Sequence, residues 1–217
     1  MTGYLTNSQG NMTPLNSEIL YKRAFHLSLF TIFYNIGEGL VSMILGFKDE
    51  TLALSGFGAD SFIEVISGVG IAVMIVRIGN NRTSSNTRFE TTALKITGTA
   101  FYLLTAALAA GIVLNIVTGH KPENTFWGVV ISIVSIGVML WLVKAKRNAG
   151  NKLHSDPILA DANCTMVCVY MSVVLLASSL IYELTGFIYA DAIGAAGLAW
   201  FSFTEGKEAF EKTRGNE

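Results

Sequence analysis

Two pairs of side chains that can bind metal ions stand inside apolar stretches of this sequence. Asp60 and Glu64 lie in LSGFGADSFIEVISGVG, and Cys164 and Cys168 lie in DANCTMVCVYMS. Each pair is spaced four residues apart, so on an α-helix both members face the same way, one turn apart. If the two stretches form neighbouring helices, D-x-x-x-E and C-x-x-x-C together supply four ligands to one divalent cation.

Each pair also has a simpler explanation. The two carboxylates would meet water or an arginine if they lay near a helix end, and cysteine is an ordinary small residue of buried helices. Glu64, however, has Phe-Ile before it and Val-Ile after it, and a charge at the middle of a bilayer costs about 2.5–3.5 kcal/mol on insertion scales. A disulfide between cysteines four apart on a helix has poor geometry. We therefore interpret the four residues as one metal site, whose two thiolates and two carboxylates suit Zn²⁺ or a softer ion such as Cd²⁺.

Composition indicates where such a site would lie. Of the 217 residues, 51% are hydrophobic and only 14% are charged, whereas a soluble domain carries about a quarter charged residues. We expect an integral, multi-pass membrane protein whose main surroundings are the lipid bilayer. The net charge of −1 gives no indication of a nucleic-acid partner, and none is expected.

Six stretches are long and apolar enough to cross a membrane, which needs about 20 residues each. The predicted fold is an all-α bundle of six transmembrane helices. We expect a polar N-terminal tail over 1–20, a transport domain over 21–206 and a short cytoplasmic tail over 207–217. The six predicted spans are Ala24–Gly46, Thr51–Ile78, Thr91–Thr118, Thr125–Val143, Ile158–Leu184 and Phe187–Thr204.

The distribution of basic residues predicts the orientation. Lysines and arginines concentrate before span one, in the second and fourth connections, and after span six, whereas only Lys48 and Lys121 belong to the other connections. Because cytoplasmic connections are enriched in basic residues, both termini are predicted to be cytoplasmic. The residues counted are Lys22, Arg23, Arg77, Arg82, Arg88, Lys144, Lys146, Arg147, Lys152, Lys207, Lys212 and Arg214.

Further polar residues accompany the four candidate ligands. Asn35 and Glu38, in YNIGEGL of span one, are expected to line the same cavity. Asp161 precedes the cysteine pair and is interpreted either as a residue on the way into the cavity or as a charge at a helix start. Asp191, at the start of span six, is interpreted as an N-terminal helix charge.

These motifs resemble the cation diffusion facilitator family of divalent-metal/proton antiporters over most of residues 22–212. The resemblance is carried by YNIGEGLVSM, TLALSGFGADSFIEVISG, RFETTALKITG, LADANCTMVCVYMS and YADAIGAAGLA. The family places two acidic residues four apart on its second helix, which match Asp60 and Glu64. Where its fifth helix commonly has histidine and aspartate, this chain has Cys164 and Cys168, a departure that concerns metal identity more than site location. The chain resembles the short branch that lacks the C-terminal cytoplasmic domain.

The resemblance implies a transporter that works by alternating access. We expect it to export a divalent transition-metal ion, Zn²⁺ or Cd²⁺, from the cytoplasm in exchange for protons, as a homodimer in the cell (inner) membrane. No enzymatic activity and no resident cofactor are expected. The alternatives are a membrane metal sensor or scaffold that does not transport, a protein for small organic cations in which the cysteines only pack, and a thiol redox enzyme, for which the sequence has no cofactor motif.

Overall fold

The computed structural model describes residues 14–79, 87–119 and 121–215. These residues form six α-helices and no strand, so the all-α prediction is confirmed. Most of the predicted second connection, residues 80–86, and the first 13 residues of the predicted N-terminal tail lie outside the described ranges. The helices are α1 (Pro14–Lys48), α2 (Leu52–Gly79), α3 (Thr87–Thr118), α4 (Phe126–Leu153), α5 (Asp156–Thr185) and α6 (Ala190–Gly215).

Five of the described helices, α1 to α5, are long and apolar enough to cross a membrane. Large apolar side chains such as Val117 and Leu184 are 78% and 81% exposed, as expected for surfaces that face lipid rather than water. The protein is therefore an integral multi-pass membrane protein. α6 is not among these five helices, because its second half, TEGKEAFEKTRG, is rich in charged residues. The six-span topology with cytoplasmic termini stays a prediction of the charge pattern.

The helix ends differ from the predicted boundaries most at three places. α1 begins at Pro14, inside the predicted N-terminal tail, and α6 continues to Gly215, through most of the predicted C-terminal tail. α4 continues to Leu153 rather than ending at Val143. The physical reason for the extension of α4 is that Lys146, which the charge pattern places in a connection, is buried: its ammonium lies 3.0 Å from Oδ2 of Asp161 on α5.

α1 and α2 form an antiparallel hairpin whose backbones approach closely. A Cβ atom on Gly58 would lie 2.8 Å from the backbone nitrogen of Met43 and 3.0 Å from the carbonyl oxygen of Gly39. Glycine is therefore required at this crossing, because no larger residue fits between the two helices. The close approach brings side chains of α1 within hydrogen-bond distance of those on α2.

Asp191 joins the start of α6 to the start of α2. It lies in the first turn of α6 as predicted, but its Oδ2 and Oδ1 atoms accept hydrogen bonds from the backbone N–H groups of Leu52 (2.8 Å) and Ala53 (3.1 Å). The carboxylate thus caps a second helix, where free N–H groups and the helix dipole favour an anion. α3 packs along α6, α4 along α5, and α2 contacts α3, α5 and α6.

Candidate functional site

A cavity of about 70 Å³ lies between five of the helices. Its walls come from α1, α2, α3, α5 and α6, and the four candidate ligands Asp60, Glu64, Cys164 and Cys168 all line it. The i, i+4 spacing on α2 and on α5 turns both members of each pair towards this space. Both cysteines are free thiols.

Glu64 connects three helices inside the cavity. Its Oε2 atom accepts a hydrogen bond from Nδ2 of Asn35 on α1 at 2.8 Å. Its Oε1 atom accepts the thiol hydrogen of Cys168 on α5. A carboxylate in an apolar bundle is stable only with such partners, so Glu64 is the polar centre of the described bundle.

Asp60 lies one turn from Glu64 and is almost fully buried, at 2% exposed. Its Oδ1 atom has no hydrogen-bond partner among the residues that the structure describes. Leaving a buried acceptor unsatisfied costs about 1–3 kcal/mol. Such a group marks a place where a positively charged or hydrogen-bond-donating ligand would be stabilised.

The four side chains share the cavity wall without surrounding one point. Within the described ranges, no group of three or more histidine, cysteine, aspartate or glutamate side chains is arranged closely enough to hold a metal ion. Glu64 and Cys168 are in direct contact, and the hydrogen that the thiol donates to Oε1 of Glu64 must leave before both atoms can bind a metal. Gathering the four ligands around a cation therefore requires a rearrangement of side chains or helices, and the ligand set stays a prediction.

Glu38 does not line this cavity. Glu38 follows Asn35 by three positions on α1, so the two side chains point in directions about 60° apart around the helix axis. It accepts hydrogen bonds from Tyr34 (2.9 Å) and Ser61 (3.3 Å) and lines a separate groove of about 410 Å³ between α1 and α4. Of the two polar residues singled out in span one, only Asn35 belongs to the cavity of the four candidate ligands.

Asp161 lines the cavity but is held by an ion pair. It lies in the second turn of α5, so the interpretation as a helix-start charge does not apply. Lys146, only 1% exposed, pairs with it at 3.0 Å and donates a hydrogen bond to Thr165 at 2.9 Å. A carboxylate already neutralised by a buried ammonium is a poor ligand for a second cation.

Sequence reasoning missed the contribution of α6 to the cavity. Glu205, Glu208 and Lys212 line it at the end where α5 begins, and Lys212 forms an ion pair with Glu208 at 2.7 Å. Their spacing of three and four residues places them on one helical face. That periodicity was available in the sequence, but it lies in the segment interpreted as the boundary between span six and the tail.

One comparison with known proteins includes every residue of the cavity wall. The chain matches the cation efflux transmembrane domain over residues 28–214. It is also similar to an uncharacterized transporter of Methanocaldococcus jannaschii, with 27% identity over 170 residues. The similar region is 76% of this chain and 59% of that protein, so the chain corresponds to less than two thirds of the relative's length.

Proposed function

This chain belongs to the cation efflux family of membrane cation transporters, and we propose that it exports a divalent transition-metal ion, Zn²⁺ or a softer ion such as Cd²⁺, in exchange for protons. The observation that carries the proposal is the arrangement around Glu64, which contacts Cys168 in a cavity also lined by Asp60 and Cys164. These four residues are the proposed ligands, with two oxygens from α2 and two sulfurs from α5. Such a mixed donor set suits borderline and softer divalent ions.

Proton exchange follows from the chemistry of the Glu64–Cys168 contact. Thiols and carboxyl groups bind metal ions only after losing their protons. A cation that binds Oε1 of Glu64 and Sγ of Cys168 must displace the hydrogen that these two atoms share. Metal loading and proton release would therefore use the same atoms, and proton return would favour metal release.

The position of the cavity supports access from the cytoplasm. It is bounded by Asp161 near the start of α5 and by Glu205 and Glu208 near the end of α6. The charge pattern of the sequence predicts that this end of the bundle is cytoplasmic. Asp161 and Glu208 at this end are balanced by Lys146 and Lys212, so the support for uptake from the cytoplasm comes from the predicted orientation and not from an excess of acidic charge.

Transport by sealed vesicles tests the proposed function. We expect purified protein in vesicles to accumulate Zn²⁺ or Cd²⁺ far beyond one ion per chain when a pH gradient is imposed, because coupled protons supply the driving force. Co²⁺, Mn²⁺ and Fe²⁺ offered in parallel give the selectivity order. Protein-free vesicles and a protonophore are the controls. Uptake that stops at a fixed stoichiometry and ignores the gradient would indicate a sensor or scaffold that binds metal without moving it.

Exchanging the cysteines should change the selectivity. In the double variant Cys164→His, Cys168→Asp we expect the ratio of Zn²⁺ to Cd²⁺ transport to rise by about tenfold or more, because soft thiolates that favour Cd²⁺ are replaced by harder ligands. The ratio is measured by competition between the two ions in the same vesicles. An unchanged ratio in an active variant would show that neither cysteine contacts the ion.

A further inference from the structure

Asn35 is the most completely buried polar side chain of the cavity wall. It is 0% exposed and lies on α1, opposite Asp60 and Glu64 of α2. Its amide nitrogen donates to Oε2 of Glu64 at 2.8 Å. Its amide oxygen has no hydrogen-bond partner among the described residues. The cavity therefore has two buried oxygen acceptors without donors, one from Asn35 and one from Asp60.

The hydrogen bond to Glu64 determines where the amide oxygen points. Only the NH₂ group of an asparagine can donate to a carboxylate, so the oxygen is turned away from Glu64. A buried acceptor without a donor costs about 1–3 kcal/mol. An amide oxygen is also an established ligand of cations and brings no charge of its own. A cation bound in the cavity is the kind of partner that this atom and Oδ1 of Asp60 both lack.

We propose that the amide oxygen of Asn35 is a further ligand of the transported cation, so that α1 helps to form the site together with α2 and α5. This inference rests on the proposed function and deepens it. One side chain would serve two purposes, since its nitrogen orients Glu64 while its oxygen binds the ion. The neutral oxygen would add a hard donor to the two thiolates without adding negative charge.

The alternative role for Asn35 is to position Glu64 without touching the ion, and two substitutions separate the roles. Asn35→Leu removes both the donor and the oxygen at similar volume. Asn35→Asp removes the donor but keeps an oxygen at the same place. A residue that only positions Glu64 loses its effect equally in both variants, whereas a residue that also binds the ion loses more in Asn35→Leu than in Asn35→Asp. Asn35→Ala repeats the loss of the oxygen if the leucine variant does not fold.

Ser42 provides the matched control. It lies two turns further along α1 and is 0% exposed, and its hydroxyl oxygen also has no hydrogen-bond partner in the described part of the chain. It is not part of the cavity wall. Ser42→Ala therefore removes a buried, unpaired polar atom from the same helix without changing the proposed site.

The experiment is a titration of the purified protein in detergent with Cd²⁺. Binding is measured by calorimetry, and the ultraviolet charge-transfer band of cadmium thiolate reports whether a cysteine binds the ion. We expect Asn35→Leu to weaken Cd²⁺ binding at least tenfold while the band persists, Asn35→Asp to weaken it clearly less than Asn35→Leu, and Ser42→Ala to bind within about threefold of the unaltered protein. Equal weakening in Asn35→Leu and Asn35→Asp, or unchanged affinity in Asn35→Leu, would overturn the inference. Cd²⁺ binding without the band in the unaltered protein would overturn the cysteine ligands of the proposed function instead, and the affinities would still decide the role of Asn35.

Discussion

Glu64→Gln is expected to abolish cation accumulation in vesicles while the folded protein remains in the membrane. The substitution keeps the size of the side chain and its contact with α1 but replaces the carboxylate that would bind the metal with a neutral amide. Loss of groups that only support metal ligands typically costs 10–100-fold in metal affinity or activity, so loss of a ligand itself should lower the transport rate by about 100-fold or more. Initial uptake of Zn²⁺ and Cd²⁺ under a pH gradient measures the effect.

The same result is expected for Asp60→Asn and for the alanine variants of both residues. Oδ1 of Asp60 has no hydrogen bond within the described residues, so replacing this atom breaks no hydrogen bond that it makes there. Glu211→Gln is the matched control, because Glu211 is exposed and only pairs with Lys207 at 3.7 Å on the helix surface, where ion pairs contribute little. Full transport by a Glu64 or Asp60 variant would contradict the assignment of the site.

Lys146→Met is expected to destabilise the protein by about 3–5 kcal/mol. The lysine is 1% exposed and its partner Asp161 is 6% exposed, with 3.0 Å between ammonium and carboxylate. Removing the ammonium leaves a buried carboxylate without its counter-charge, and this is the origin of the large loss. The free energy of unfolding in mixed detergent micelles measures the change.

Two companion variants make this prediction specific. Lys144→Met, two residues away on the exposed side of α4, should change the free energy of unfolding by no more than about 0.5 kcal/mol, as surface substitutions usually do. The double variant Lys146→Met, Asp161→Asn should recover most of the lost stability, because no unpaired charge remains buried. Equal effects of Lys144→Met and Lys146→Met would show that the buried pair does not stabilise the contact between α4 and α5.

The elements of the fold could be read from the sequence because they depend on local properties. Long apolar stretches must become helices in a bilayer, where every backbone polar group needs an internal partner. The spacing of Asp60 with Glu64 and of Cys164 with Cys168 likewise determined that each pair shares a helix face. The end of α4 was missed because local charge density suggested a connection, while the partner that permits burial of Lys146 comes from another helix.

The sequence by itself therefore determined the membrane class, the helices and the shared helix face of each candidate ligand pair, and the tertiary structure decided which groups meet. Asn35 reaches Glu64 across 29 residues, and Asp191 caps α2 across 139. Such pairings depend on helix crossings, set by close packing at positions such as Gly58, and no periodicity within one helix encodes them. The same packing separates Glu38 from the cavity that contains Asn35, although the two residues lie about one turn apart on α1. The reason is that their side chains leave α1 in different directions and therefore meet different neighbouring helices.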